Sequence, residues 1–317
     1  MRIGLTGGAS TPDKIIQQAQ RAEADGFNAL WYASAVQGDP LVAMALAGRS
    51  TTRIELGTAV LQTYPCHPLL QAQRSAAVSS AMGRPGFTLG LGPSHRSNIT
   101  DLYGLSYDHP GRNTEAYIEI ISRLFAGEPV EVNGDDWSTH APAGAVTTGQ
   151  PIPLLLAALS PRLLRVAGEH ADGVILWIVP PAVIERDIKP HLDAAAMSAG
   201  RPTPRLVAGL PVAVHDDSGQ AREAVARTAV VYEHEPNYQR ALRRGGLATA
   251  AEAAVVGNER QVRAQLQAVL DAGASDLWLN IVAVGDNPRD SVRRTRDLLR
   301  ELVVPPNLNE PNEGLPR

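Results

Sequence analysis

Short apolar runs alternate along this chain with longer segments in which apolar residues recur at helical spacing. The apolar runs predict strands at 2–6, 29–33, 54–61, 86–92, 152–158, 173–179, 205–214 and 276–282. The helical segments lie at 12–25, 40–50, 68–82, 112–126, 161–170, 181–199, 218–231, 258–272 and 288–302. Strands that are each followed by a helix favour a closed (β/α)8 TIM barrel, with a doubly wound sheet as the alternative.

Several predicted helices begin and end at residues that suit those positions. Thr11 precedes Pro12, and Ser160 precedes Pro161, so each pair gives an N-cap followed by proline in the first turn. Gly273 stands where a helix stops before the next strand. These residues support the alternating order of strands and helices.

Two segments are additional to the eight strand–helix units of a minimal barrel. Residues 127–150 are rich in Gly, Asp and Thr, which predicts a hairpin or loop insertion after strand 4. Residues 232–257 form an extra, partly helical insertion after strand 7. The Pro/Asn-rich tail, 304–317, is expected to be disordered. We therefore expect one barrel domain over residues 1–303.

Composition narrows the classes of function. A length of 317 residues suits one barrel, and a net charge of -4 gives no electrostatic footprint for nucleic acid. No apolar run approaches the ~18 residues of a membrane span, and the N-terminus lacks a signal-peptide pattern. Cys66 is the only cysteine and has no partner for an internal disulfide. We expect a cytoplasmic protein with a small-molecule substrate.

In such barrels the functional groups lie at the carboxyl ends of the strands. Gly90 and Gly92 in "GLGPSHR" would let a flat ring approach the backbone without Cβ atoms in the way. The turn 158–160 would offer free N–H groups and the positive end of a helix dipole to a phosphate. Small residues at 57–59 could let the backbone bulge into the barrel. These features fall at one end of the predicted barrel.

Each of these features also has a purely structural interpretation: a turn at the glycines, a helix cap at Ser160, a loop side chain at His95, helix-start packing at His67 and core packing at Trp177. Metal-ligand spacing is absent from the sequence, and so are a Gly-x-Ser-x-Gly elbow and a P-loop. A barrel with a phosphate turn and no built-in nucleophile indicates that a bound cofactor supplies the chemistry.

Five blocks of sequence together resemble the luciferase-like monooxygenase superfamily, in the branch that uses the deazaflavin coenzyme F420. The blocks are "AEADGFNALWYAS", "TTRIELGTAVLQTYPCHPLLQAQ", "GRPGFTLGLG", "GRNTEAYIEIISRLFAGEPV" and "PLLLAALSPRLLRVAGEHADGVILW". The resemblance is strong over residues 1–180 and looser over 205–302. It implies a bacterial luciferase-like (β/α)8 barrel with insertions and, since family members are often dimers, a homodimer.

The resemblance also implies positions for the coenzyme. In F420-dependent members, a non-prolyl cis peptide on the third strand makes a bulge that backs the deazaflavin. The matching bond here is Thr58–Ala59 or Ala59–Val60. The implied coenzyme-binding residues are Thr58, Ala59 and Val60 at the bulge, Gly90, Leu91 and Gly92 facing the ring, Ala158, Leu159 and Ser160 at the phosphate, and Trp177 in a nearby wall.

Two departures from the family pattern bear on the reaction. Family members that oxidise alcohols or sugar phosphates carry an Asp/Glu-His pair where this chain has Ser34-Ala35, and a Glu where Pro93 stands. We therefore expect a reductase that passes hydride from C5 of reduced F420 to a C=C or C=N bond. His95 is the leading proton donor, with Tyr64 and His67 as weaker candidates, and an iminium substrate would need none.

Two other functions stay open at this point. The first is an FMN-dependent luciferase-like monooxygenase, which would use the same phosphate turn and react with oxygen. The second is a non-catalytic barrel that binds a cofactor, because such a protein could retain both the turn and the bulge.

Overall fold

A computed structural model of the protein describes residues 1–8, 11–33 and 39–303. Its strands are β1 (Ile3–Gly7), β2 (Ala29–Tyr32), β3 (Glu55–Thr58), β4 (Leu61–Gln62), β5 (Phe87–Gly92), β6 (Val130–Asn133), β7 (Ser138–Ala141), β8 (Leu154–Leu156), β9 (Gly173–Trp177), β10 (Arg205–Val214), β11 (Val255–Gly257) and β12 (Asp276–Ile281). Eight of them pair in parallel in the order β1, β2, β3, β5, β8, β9, β10 and β12. β12 then pairs with β1, which closes the predicted barrel and excludes an open sheet.

The helices surround this barrel. They are α1 (Pro12–Ala24), α2 (Pro40–Arg49), α3 (Pro68–Met82), α4 (Pro110–Phe125), α5 (Pro161–His170), α6 (Pro181–Val183), α7 (Lys189–Ser198), α8 (Ser218–Glu233), α9 (Pro236–Arg244), α10 (Glu259–Asp271) and α11 (Pro288–Leu302). Every predicted helix is present, with 181–199 divided by a π-helical turn at Ile184–Ile188. No helix in the described ranges is long and apolar enough to cross a membrane.

Both predicted insertions are present. Residues 127–150 contain the antiparallel hairpin of β6 and β7, in which Val130 faces Ala141. Residues 232–257 contain α9, a 3-10 turn at Ala250–Ala253, and β11, which pairs with β10 beside the barrel. The tail 304–317 lies outside the described residues.

Predicted strand 3, 54–61, is not one strand, and this is a correction. It is divided into β3 and β4 by a cis peptide bond between Ala59 and Val60. The backbone pairing of β3 with β5 stops at Gly57. Beyond it, the Thr58 side chain takes the place of the backbone: its hydroxyl donates to Gly90 O at 2.7 Å and accepts from Gly90 N at 2.8 Å. Because a side chain takes the backbone groups of Gly90, the strand ladder is interrupted there.

Trp31 on β2 fills the middle of the barrel and is fully buried. The strands on either side make room for its ring with glycine. A Cβ atom at Gly4 on β1 would lie 2.6 Å from the indole Nε1, and one at Gly57 on β3 would overlap the ring. Packing in the centre of the barrel therefore needs these two glycines.

A charged cluster closes the end of the barrel where the strands begin. Arg205 reaches Glu55 Oε1 at 2.7 Å and Asp276 Oδ1 at 2.8 Å, and its guanidinium lies 5.5 Å from the Trp31 ring centre. Arg2 pairs with the same two carboxylates, and the Thr88 hydroxyl donates to Glu55 at 2.6 Å. The cluster ties β3, β5, β10 and β12 together at the end opposite the expected site.

The pKa of Glu55 reflects this arrangement. Burial by itself raises the pKa of the carboxyl, but the charge and hydrogen bonds of Arg205 outweigh burial, with help from Arg2 and Thr88. The result is a pKa of about 2, against an ordinary value of 4.5. Since the folded-state pKa is lowered, the ionised carboxylate stabilises the fold fully above about pH 4.5 and stops doing so as the pH falls toward 2.

We predict that Glu55→Gln lowers the free energy of unfolding by about 3 kcal/mol near neutral pH, because it leaves buried cations without their charge partner. The difference from the unchanged protein should shrink between about pH 5 and about pH 2. Urea denaturation at several pH values measures both effects. Exposed Glu185→Gln is the matched control and should change stability by less than about 0.5 kcal/mol. A pH-independent difference would contradict the assignment.

Candidate functional site

The interrupted third strand lies at the carboxyl end of the barrel. Ala59 N donates to Tyr32 O at 2.8 Å, which anchors the chain just before the cis bond. Ala59 and Val60 belong to the same apolar cluster as Trp177 and Trp278. The structure therefore brings the predicted bulge and the predicted wall residue together inside the mouth of the barrel.

The two glycines of β5 also have a packing role. A Cβ atom at Gly90 would overlap the Thr58 carbonyl oxygen, and one at Gly92 would lie 2.9 Å from both Val60 and Ala157. The glycines thus make room for the third strand and for β8. The approach of a ring to these glycines stays a prediction.

Two other predicted coenzyme residues have buried side chains. The Thr58 side chain is fully buried and is used by Gly90, and the Leu91 side chain is fully buried in the core between barrel and helices. Neither residue exposes surface in the structure, and coenzyme contact at these two positions stays a prediction.

The turn between β8 and α5 has the features of an anion site. Ala157 N donates to Leu91 O at 2.8 Å, and Ala158 is buried. In the part of the chain that the structure describes, the N–H groups of Leu159 and Ser160 donate to no acceptor. Ser160 Oγ accepts from Leu163 N at 3.3 Å and so caps α5. The free N–H groups and the positive end of the helix dipole together suit a phosphate.

A row of aromatic rings leads from the barrel interior to the loop after β5. Ring centres are 4.7 Å apart for Trp278 and Trp177, 6.1 Å for Trp177 and Tyr232, 5.1 Å for Tyr232 and Tyr238, and 6.0 Å for Tyr238 and His95. Sequence reasoning missed Trp278, Tyr232 and Tyr238. With only 4% aromatic residues in the chain, each Trp or Tyr was a usable signal.

His95 ends this row and faces a carboxylate. Its Nδ1 lies 3.2 Å from Oε2 of Glu235, and both side chains are half-buried. Glu235 belongs to the insertion after strand 7 and precedes α9. Sequence reasoning selected His95 and missed Glu235, because nothing in the local pattern around residue 235 indicates which loop it meets.

Tyr64 lies beside Tyr107, with ring centres 5.2 Å apart. Burial, followed by the charges of Asp136 and Asp108, raises the pKa of Tyr64 to about 12, against a smaller opposing effect of Arg96. Its phenol therefore stays protonated at neutral pH and is a reluctant proton donor.

His67 has a structural role in this fold. Its Nδ1 accepts from Leu69 N at 3.2 Å and caps α3, and its Nε2 lies 2.9 Å from Ser138 O on the hairpin. Both ring nitrogens are engaged, which favours helix-start packing over proton transfer. Ser34, Ala35 and Gln37, at the end of predicted strand 2, lie outside the described residues.

Comparison with known proteins gives consistent results. A family model described as luciferase-like monooxygenase matches residues 1–276. The chain is 32% identical to the F420-dependent hydroxymycolic acid dehydrogenase of Mycobacterium tuberculosis, over 83% of this chain and 77% of that protein. It is 26% identical to the 5,10-methylenetetrahydromethanopterin reductase of Methanolobus tindarius, over 90% of this chain and 86% of that protein.

Solved structures share the fold. The coenzyme F420-dependent tetrahydromethanopterin reductase of Methanopyrus kandleri superposes with a TM-score of 0.76 at 21% identity, covering 96% of this chain and 99% of that one. The oxygenating constituent of 3,6-diketocamphane monooxygenase from Pseudomonas putida, in complex with FMN, superposes with a TM-score of 0.70 at 16% identity. The match covers 96% of this chain and 98% of that one.

We predict that Gly90→Ala lowers the free energy of unfolding by about 1–3 kcal/mol, because the added methyl group would collide with the Thr58 carbonyl. Gly149→Ala is the matched control, since a Cβ atom there would meet nothing within 4 Å. Urea denaturation of both variants is the measurement. Equal stability of the two would show that β3 and β5 are not packed as described.

Proposed function

Because the chain belongs to the luciferase-like monooxygenase family, we propose that it is a coenzyme F420-dependent oxidoreductase. The structural observation that carries the proposal is that the bulge lies next to the turn expected to hold a phosphate. Val60 of the bulge and Ala157, at the start of that turn, both border Gly92: a Cβ atom at Gly92 would lie 2.9 Å from each of them. A ring against Val60 would thus have an anion site within reach. Two sequence relatives, over most of this chain, are an F420-dependent dehydrogenase and a reductase.

The residues present fit the coenzyme. Ala59 and Val60 would lie behind the deazaflavin, Trp177 would flank it, and the unpaired N–H groups of Leu159 and Ser160 would hold its phosphate. When bound in its reduced form, F420 supplies a hydride from C5. A deazaflavin does not form the oxygen adduct that flavins form, so hydride transfer is the chemistry that this coenzyme supports.

The direction proposed is reduction of a C=C or C=N bond in a small metabolite. Such a reduction needs a proton as well as a hydride, and we infer that His95, which ends the aromatic row, delivers it. The row would keep water away from the reacting atoms. Pro93 stands where dehydrogenases of the resembled type carry a Glu, which argues against alcohol oxidation by their route.

A second candidate is an FMN-dependent monooxygenase, because the phosphate turn would serve FMN equally well and an FMN-containing monooxygenase shares the fold. The homodimer and the cytoplasmic location expected from the sequence stay predictions.

The test of the proposal is fluorescence titration of the purified protein with F420 and, separately, with FMN at matched ionic strength. We expect micromolar or tighter binding of F420 and weak binding of FMN. The reverse preference would favour the monooxygenase, and binding of neither would overturn both. Ser160→Asp should weaken F420 binding by at least about tenfold, because its carboxylate would face the phosphate. Ser160→Asn is the control, since both residues cap helices well but only Asp is charged.

A positive titration allows a screen for turnover, in which oxidation of reduced F420 is followed with 2-cyclohexenone and 1-pyrroline as C=C and C=N probes. With a C=C substrate that the screen finds, His95→Ala should lower kcat by at least about tenfold, against the ~10²–10⁴-fold typical of general acids. An iminium substrate needs no proton donor and should show little change. Tyr64→Phe should change kcat by less than about threefold, because a phenol with a pKa of about 12 contributes little as an acid. Unchanged turnover in both variants would exclude these side chains as the proton source.

A further inference from the structure

We propose that Glu235 is a positioning residue for His95: it holds the Nδ1–H of the imidazole, so that Nε2 is the atom that delivers a proton to the substrate. The catalytic part of this proposal rests on the proposed function. The geometric part does not, since it concerns the protein without coenzyme. Glu235 lies in the insertion after strand 7, outside the segments that carry the expected coenzyme contacts.

The side chain of Glu235 is turned away from its own helix. Thr11, Ser160 and Asp217 occupy the N-cap position of their helices, and each accepts a hydrogen bond from the helix backbone. Glu235 occupies the same position before α9 and makes no such bond. Its Oε2 instead lies 3.2 Å from His95 Nδ1. The carboxylate thus forgoes a local hydrogen bond and meets a residue of the loop after β5.

The backbone before His95 is held in an uncommon conformation. Ser94 has a φ of 66°, in the left-handed region that residues other than glycine rarely adopt. The Tyr107 hydroxyl donates to Ser94 O at 2.8 Å, and Gln62 Nε2 donates to Ser94 Oγ at 3.2 Å. Such strain persists where surrounding contacts enforce it, and it is typical of functional sites. The His95 side chain that follows lies beside Glu235 and Tyr238, at the start of α9.

The groups around the His95 ring leave Glu235 as its charge partner. The ring centre of Tyr238 lies 6.0 Å from that of His95. Burial raises the pKa of the Tyr238 phenol above the usual range, so the phenol stays neutral. Arg96 is directed away from the ring, toward Tyr107, where its Nη2 donates to the carbonyl oxygen at 2.9 Å. A carboxylate on one ring nitrogen decides which nitrogen carries the proton in the neutral imidazole.

The proton balance of the step is complete with these two residues and the reduced coenzyme. The C5–H bond of reduced F420 would break, and its hydride would bond to one end of the C=C or C=N bond, so that the coenzyme is oxidised and the substrate reduced. The electron pair of the broken π bond would then form a bond to the proton on Nε2 of the imidazolium. The Nε2–H bond breaks and its electrons stay on Nε2. The Nδ1–H group keeps its contact with the Glu235 carboxylate, and water would reprotonate Nε2 afterwards.

The first test is nitrogen-15 NMR of the histidine rings in the full-length protein without coenzyme, at a pH where the imidazole is neutral, with His95→Ala used to assign the signal. We expect the Nδ1–H form of His95 in the unchanged protein and a shift to the Nε2–H form in Glu235→Ala. Exposed Glu223→Ala on α8 is the control and should leave the Nδ1–H form. An Nε2–H form in the unchanged protein would overturn the proposal, whether or not the variant folds.

The second test is turnover with reduced F420 and a C=C substrate from the screen. Glu235→Ala should lower kcat by about tenfold with little change in KM, and Glu235→Asp should recover part of the loss. A loss confined to KM, or an equal loss in Glu223→Ala, would show a merely structural role. The two proposals fail separately: absence of F420 binding overturns the proposed function and leaves the NMR result on Glu235 intact.

Discussion

The hydroxyl of Thr58 sits where the third strand of the barrel breaks, and the site depends on that one side chain. It takes both backbone hydrogen-bonding groups of Gly90, so the strand ladder stops and the chain bulges at Ala59 and Val60. The glycines of β5 are needed because Thr58 and Val60 occupy the space where their side chains would lie. β5 in turn leads to the strained Ser94 and to His95. A single side chain thus borders both the surface behind the expected coenzyme and the strand that leads to His95.

The two ends of the barrel are specialised for different tasks. At the end where the strands begin, Arg205 links Glu55 and Asp276 in a buried cluster, and Trp31 packs above it. The charged groups of this cluster are paired with one another, and its contribution is to stability. At the opposite end, the N–H groups of Leu159 and Ser160 have no acceptor among the residues that the structure describes. Because the charged end holds the strands in register, the other end can carry a broken strand and strained loops.

The site combines parts of different origin in the fold. The expected coenzyme contacts come from β3, β5 and the turn before α5, which belong to the barrel itself. The aromatic row and the carboxylate beside His95 come largely from the insertion after strand 7, through Tyr232, Glu235 and Tyr238. A division of this kind would let the barrel keep one coenzyme while the insertion sets which substrate is reduced.

The sequence by itself determined the helices, their caps and the strands other than the third, because apolar spacing and residues such as Ser160 and Pro161 act within a few positions of the chain. Local composition and a family resemblance also located the bulge, and they predict the phosphate turn. Only the tertiary structure decided that Gly90 faces Thr58, that His67 caps α3, and that Glu235 meets His95. Those pairings join segments far apart in the chain, so they depend on barrel closure and strand register, which no local pattern encodes.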